Sequence, residues 1–109
     1  MKLVRQSNPT TCGQACVAMI LDVPLEEAIR LVGHDGITTW RDLFIGVYGE
    51  SEMGHSGNVG KPPQDKVCFC EHFEPDGNRR HWTVWNKGEV LDPACIGKKL
   101  WPIGRYYVV

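Results

Sequence analysis

The chain has 109 residues, enough for a single domain over residues 1–109 with one hydrophobic core. Its 12 lysines and arginines nearly balance 13 aspartates and glutamates, and the formal net charge of −1 shows no basic excess that would favour nucleic acid as a partner. We expect no membrane partner and a cytoplasmic location, because no stretch approaches the roughly 18 apolar residues of a membrane span and no apolar segment follows the first two residues. Five cysteines without a secretion signal favour reduced thiols over a disulfide framework.

The first predicted element is a helix that begins at Cys12. Thr11 is a favourable N-cap and Gln14 can bond back to it, so the sequence predicts a capping box. In the first turn of a helix, unpaired N–H groups and the helix dipole can lower the pKa of a thiol from about 8.5 to about 3.5–7.5. Cys12 is therefore a candidate nucleophile for acyl transfer, with its own N–H and the amide of Gln6 as oxyanion donors. The alternative is that Cys12 is a small buried apolar residue.

Two further helices are predicted in the first half of the chain. Apolar residues recur at helical spacing after Pro24, and Gly33 is the predicted end of that helix. The same spacing follows Thr38 or Thr39, either of which can cap the third helix, and ends at Gly49. Such stripes are typical of helix faces that pack on a core.

The second half of the chain changes from helices to strands. Residues 50–65, rich in glycine and proline, predict a long loop of the kind that often borders a functional cleft. Helices followed by strands favour an α+β fold with an antiparallel sheet over repeated βαβ units. Runs of β-branched and aromatic residues predict strands at 66–73, 81–85, 89–93 and 105–109.

The second and third predicted strands form a hairpin with His81 at one open end and Asp92 at the other. With a two-residue loop at Asn86-Lys87, His81 lies directly opposite Asp92, with Cβ atoms about 4.5 to 5.5 Å apart. With a three-residue loop over 86–88, His81 faces Pro93, and Asp92 must turn back from the strand end. Either register predicts a carboxylate that orients an imidazole, whereas the alternative is that Asp92 only ends the strand.

A zinc site is a second interpretation of the strand residues. Cys68, Cys70 and His72 alternate and would share one face of a strand, with Cys95 or His81 as a fourth ligand. Neighbouring positions on that face lie about 6.6 Å apart, whereas two sulfurs on one zinc lie about 3.8 Å apart. We therefore predict no metal and no other cofactor, and we interpret His72 as a solvated or packing residue.

Gln6, the helix that begins at Cys12, and His81 followed by Asp92-Pro93 resemble the papain-like cysteine peptidases that process double-glycine leaders of bacteriocins. The resemblance is close in the first helix and extends to the pattern of the hairpin. It implies a papain-like fold, with N-terminal helices packed on a C-terminal antiparallel sheet. It also implies that Cys12 is the nucleophile, His81 the base, Asp92 the group that orients His81, and Gln6 an oxyanion donor.

The best-known members of that family are fused to membrane-spanning and ATP-binding parts of a transporter, which this sequence does not contain. We therefore predict a small stand-alone cysteine peptidase or isopeptidase-like hydrolase that acts on a peptide or protein. Acyl transfer to an amine and deamidation share the thioester intermediate and stay open. The main alternative is a papain-like module that binds a peptide or protein without catalysis.

Overall fold

The computed structural model describes residues 1–50, 57–94 and 100–109. Within these ranges three helices precede four strands, as the sequence predicts, and the strand ends differ from the predicted ones by one or two residues. The sheet is antiparallel with the order β3-β2-β1-β4, so the predicted α+β class is confirmed. The elements are α1 (Cys12–Leu21), α2 (Leu25–Val32), α3 (Trp40–Tyr48), β1 (Val67–Phe73), β2 (Arg80–Asn86), β3 (Glu89–Leu91) and β4 (Ile103–Val108).

The ends of α2 and α3 follow the local sequence. Gly33 and Gly49 end the two helices in the left-handed conformation, with φ of 102° and 83°. Thr39 caps α3 in a capping box with Asp42, whose carboxylate accepts the Thr39 N–H at 2.8 Å. These boundaries are predictable because each depends on residues within one turn of the helix end.

The start of α1 departs from the prediction. Thr11 makes no side-chain cap, because its hydroxyl oxygen instead accepts the N–H groups of Ser7 at 2.9 Å and Asn8 at 3.2 Å. Gln14 is buried and donates to two carbonyl oxygens of the loop between α2 and α3, at 2.8 and 2.9 Å. The predicted capping box is therefore wrong, since both side chains are used to hold the neighbouring loops against the helix start.

The helices pack on one face of the sheet through aromatic and aliphatic side chains. Phe69 on β1 meets Phe44 of α3 and Trp82 of β2 edge-to-face, with ring centroids 5.8 and 6.4 Å apart. The side chains buried in this cluster include Cys16, Val17, Leu43, Phe44, Phe69, Trp82, Val84, Leu91 and Tyr107. A smaller cluster lies on the opposite face and contains Cys68, Cys70 and Trp85.

Residues 57–65 of the predicted long loop run along the sheet, and residues 51–56 lie outside the described ranges. Asn58 pairs with Tyr106 of β4 through two backbone hydrogen bonds of 2.9 Å. Trp85, on the face away from the helices, donates its indole N–H to the carbonyl of Pro63 at 2.9 Å. This segment therefore borders the sheet at the edge of β4 and on the face opposite the helices.

The hairpin register differs from both predicted registers. Asn86 pairs with Glu89, which leaves Lys87 and Gly88 as a two-residue turn. Both turn residues have positive φ, 51° and 101°, as a type I′ turn requires. The turn is displaced by one residue from the predicted Asn86-Lys87 loop, and this puts Gly88, which adopts positive φ without strain, at its second position.

Gly13 lies where α1 approaches the loop before α3, and no side chain fits there. A Cβ at this position would lie 2.0 Å from the hydroxyl oxygen of Thr38 and 2.9 Å from a methyl carbon of Leu43. We expect Gly13→Ala to lower the free energy of unfolding by about 1 to 3 kcal/mol, because the buried, β-branched Thr38 has little freedom to move.

Urea denaturation followed by circular dichroism measures this effect. Gly36→Ala is the matched control, since a Cβ there would meet only the His34 ring, at 3.4 Å. An unfolding midpoint for Gly13→Ala equal to that of the control would contradict the close packing of α1.

Candidate active site

His81 and Asp92 are diagonal neighbours on the sheet. The β2–β3 ladder ends at the pair Val84 and Leu91, and its continuation places Asp92 opposite Thr83, two residues from His81 on the same face. Diagonal neighbours are within reach of long side chains. His81 Nε2 lies 2.6 Å from Asp92 Oδ1. The carboxylate therefore holds the imidazole by a short hydrogen bond, although neither predicted register gives this arrangement.

The Asp92 carboxylate is itself oriented by the backbone. Oδ1 also accepts the N–H of Ala94 at 3.0 Å, in an Asx turn that closes the end of the hairpin. The side chains of His81 and Asp92 are 16% and 23% exposed, so solvent weakens their interaction only in part. This residual exposure also leaves the pair open to a substrate.

Cys12 lies at the first position of α1, which packs against β2. The residue is only 7% exposed, and its thiol lies close enough to the His81 side chain to raise the pKa of that ring. Because His81 Nε2 faces Asp92, the nitrogen left for Cys12 is Nδ1. The first intrahelical hydrogen bond runs from Ala15 N to Thr11 O at 3.0 Å, so the Cys12 N–H precedes the helical ladder and has no acceptor within it.

The surroundings of His81 stabilise its protonated form. Burial lowers the pKa of His81, but the hydrogen bonds to Cys12 and Asp92, together with their negative charges, outweigh it and raise the pKa above the ordinary value. A proton that leaves the Cys12 thiol can therefore stay on His81 near neutral pH. A protonated imidazole of this kind is one half of the thiolate–imidazolium pair that a cysteine nucleophile uses.

The other described thiols lie in a different environment. Cys16, one turn after Cys12, is fully buried, and burial, followed by the charges of neighbouring thiols and of Asp92, raises its pKa well above the ordinary value. Burial raises the pKa of Cys68 to about 11 and that of Cys70 to about 12. These three cysteines are therefore inert near neutral pH and provide internal controls for Cys12.

Gln6 reaches the site through its backbone. Its N–H donates to the carbonyl of Pro93 at 3.0 Å, which ties it to the residue after Asp92. Its amide Nε2 donates to the carbonyl of Asn8 at 2.9 Å, and its Oε1 is buried with no hydrogen-bond partner among the described residues. The structure thus brings Cys12 and Asp92 each against His81, and ties the backbone of Gln6 to Pro93 while one amide N–H of Gln6 bonds to Asn8.

His72 is a feature of this site that the sequence interpretation missed. It lies directly opposite His81 on the β1–β2 ladder, and the two ring centroids are 6.4 Å apart. Alternation with Cys68 and Cys70 indicates which face of β1 His72 occupies, but only the pairing of β1 with β2 brings it to His81.

The described residues show no arrangement suited to a metal ion. No group of three or more described His, Cys, Asp or Glu side chains is arranged so that it could hold a metal ion, and both ring nitrogens of His72 already have hydrogen-bond partners. Cys95, considered as a fourth zinc ligand, lies outside the described ranges. Among the described residues, no helix combines the length and apolar character needed to cross a membrane.

Comparisons with known proteins assign no family: no protein-family model matches the chain, and no curated protein matches it significantly. The case for a function therefore rests on the geometry of the site.

Proposed function

We propose that the protein is a small papain-like cysteine hydrolase that cleaves a peptide or isopeptide bond in a peptide or protein substrate. The observation that carries the proposal is the position of His81, with one ring nitrogen 2.6 Å from Asp92 and its side chain close enough to Cys12 for the thiol to raise the pKa of the ring. A nucleophile, a base and a group that orients the base are the minimum set for acyl transfer.

The proposed reaction begins with transfer of the Cys12 thiol proton to Nδ1 of His81. The thiolate attacks the substrate carbonyl carbon, and the resulting oxyanion accepts hydrogen bonds from the Cys12 N–H and from Gln6. Nε2 carries a second N–H besides the one bonded to Asn8, and this is the donor that the proposal assigns to the oxyanion.

Collapse of this intermediate breaks the bond to the leaving amine, which takes the proton from His81, and leaves a thioester on Cys12. His81 then removes a proton from water, the hydroxide oxygen attacks the thioester carbonyl, and Cys12 leaves as a thiolate. Asp92 keeps the ring oriented and stabilises the imidazolium in both steps. Replacement of water by an amine would give transfer in place of hydrolysis.

The surroundings of the site support a thiol enzyme in a reducing compartment. Cys12, Cys16, Cys68 and Cys70 are all unpaired in the structure. Unpaired thiols persist in the cytoplasm, where disulfides are rare. We therefore propose a cytoplasmic enzyme.

Cleavage of a mixed peptide library tests the proposal without a known substrate. The library is a proteolytic digest of whole-cell protein, and mass spectrometry counts the new amino termini that appear on incubation. We expect new termini with the wild-type protein and none with Cys12→Ala, because no other described thiol has a histidine partner.

Cys16→Ala is the matched control, since it removes a thiol from the same helix at a buried position one turn away. It should retain cleavage. Cleavage that persists in Cys12→Ala would disprove the assigned nucleophile. If the wild-type protein retains peptides from the library without cutting them, the alternative of a binding module replaces the enzyme.

A further inference from the structure

His72 is a buried titratable side chain beside the proposed catalytic histidine, and it has no role in the reaction above. It is 2% exposed, and its ring faces that of His81 across the β1–β2 ladder at an angle of 48°. Two imidazoles so close together compete for one proton, because a second positive charge is unfavourable beside the first. Burial disfavours the charge on His72, and its two hydrogen bonds fix the tautomer of the neutral ring.

Both ring nitrogens of His72 are bonded, and the partners define the tautomer of its neutral form. Nδ1 lies 2.7 Å from the carbonyl oxygen of Trp101, which can only accept, so Nδ1 carries a hydrogen. Nε2 lies 2.8 Å from the hydroxyl of Thr83, which can donate to it. The neutral ring with its hydrogen on Nδ1 therefore satisfies both contacts.

The charged groups around His72 do not reverse this preference. Burial is the largest effect on His72 and lowers its pKa. The bond to the Trp101 carbonyl and the charge of Asp92 raise the pKa, whereas the charge of His81 lowers it. The net pKa lies below the ordinary value. Thr83 from β2 and Ile103 from β4 lie beside His72, and both side chains are uncharged. His81 and Asp92 are thus the titratable groups that act on it within the described residues.

A β-bulge builds the contact with Trp101. Glu71 pairs with Arg105, whereas the next residue, His72, pairs with Ile103, so β4 contains one extra residue at this point. That residue is Gly104, where a Cβ would lie 1.9 Å from a ring carbon of Phe73. The glycine lets β4 approach closely, and the chain before it brings the Trp101 carbonyl onto the His72 ring.

We propose that His72 is a positioning residue that supports the His81 ring. His72 is held as the neutral Nδ1–H tautomer between the Trp101 carbonyl and the Thr83 hydroxyl. Of the two histidines, His81 alone therefore takes up the Cys12 proton. The proposal rests on the proposed function, since it assigns a role to the neighbour of the catalytic base. It needs no oxidant or cofactor, because a single proton moves from Cys12 Sγ to His81 Nδ1.

NMR of the histidine rings in the 15N-labelled wild-type protein tests the assigned tautomer between pH 5.5 and 9. We expect His72 to lose its proton at a lower pH than His81, because the pKa of His72 is lowered and that of His81 is raised, and we expect the neutral His72 ring to carry its hydrogen on Nδ1. A His72 ring that titrates at the same pH as His81 or above it, or that carries its hydrogen on Nε2 when neutral, would overturn the proposal. This measurement depends on no variant.

His72→Phe tests the positioning role, because phenylalanine fills the same space without either hydrogen bond. We expect the rate of Cys12 alkylation by iodoacetamide at pH 6.5 to fall about tenfold, because the His81 ring loses the hydrogen-bonded neighbour that holds it in place beside Cys12. His72→Asn is the conservative rescue, since its amide can still donate to the Trp101 carbonyl and has no charged form; it should stay within about threefold of wild type, a loss of less than 1 kcal/mol.

A folded His72→Phe protein with the wild-type pH profile of Cys12 alkylation would show that His72 only fills space. Both readouts work without a substrate. Low reactivity of Cys12 in the wild-type protein would contradict the proposed function, whereas unchanged reactivity in His72→Phe would contradict the role of His72 alone.

Discussion

Iodoacetamide should modify Cys12 of the wild-type protein at pH 6 at least tenfold faster than the other described cysteines. The reason is that only a thiolate reacts, and the raised pKa of His81 keeps the imidazolium beside Cys12 at this pH. Burial holds Cys68, with a pKa of about 11, and Cys70, with a pKa of about 12, as thiols. Mass spectrometry of peptides after timed alkylation gives the rate at each cysteine across pH.

His81→Ala should abolish this preference. Without the imidazolium, Cys12 is expected to react as an ordinary thiol whose rate rises only toward pH 8 to 9. Thr83→Ser is a matched control, because it changes a neighbour on β2 and keeps the hydroxyl that bonds to His72. A Cys12 rate that is equal in wild type and His81→Ala at every pH would mean that no ion pair exists.

Loss of the Asp92 carboxylate should reduce activity without abolishing it. A hydrogen bond to a charged group contributes about 1.5 to 3 kcal/mol, so we expect Asp92→Ala to lower kcat/KM by about 10- to 150-fold. Asp92→Asn keeps an oxygen that can accept the His81 N–H, and should recover part of that loss. Rates measured on any peptide cleaved by the wild-type protein give the comparison.

The pH dependence of Asp92→Ala separates orientation from simple damage to the fold. Asp92 raises the pKa of His81, so its removal lowers that pKa. The thiolate–imidazolium pair is lost as pH rises through the pKa of His81, and the alkaline limit of activity should therefore move to lower pH in the variant. A reduced rate with an unchanged alkaline limit would show that Asp92 acts on stability alone.

The same pKa shift has a consequence for folding. Because folding raises the pKa of His81, its contribution to stability is fully present below the unfolded value of about 6.5 and is lost as pH rises through the folded value. Asp92→Ala should reduce that contribution.

Much of the scaffold is predictable from short segments of sequence. Gly33 and Gly49 end α2 and α3 because a left-handed residue is needed there, and glycine adopts that conformation without strain. Apolar spacing and strand composition account for the order of helices and strands, since both depend on neighbours within a few residues. The candidate residues Cys12 and His81 were found in the same way, from the elements that they begin.

The contacts between elements were not predictable in this way. Thr11 and Gln14 have the side chains of a capping box, yet neither side chain caps the helix. Thr11 bonds to the segment just before α1, and Gln14 bonds to the loop between α2 and α3. The hairpin register depended on the conformation of Lys87, which changes the partner of every following residue.

By itself, therefore, the sequence determined the class of the fold, the ends of α2 and α3, and the placement of Cys12 at a helix start and His81 at a strand end. Only the tertiary structure decided that Asp92 lies diagonal to His81 and that His72 lies opposite it. The physical reason is range: capping and periodicity act within one or two turns of chain, whereas strand register and the bulge at Gly104 are set by packing between segments far apart in sequence.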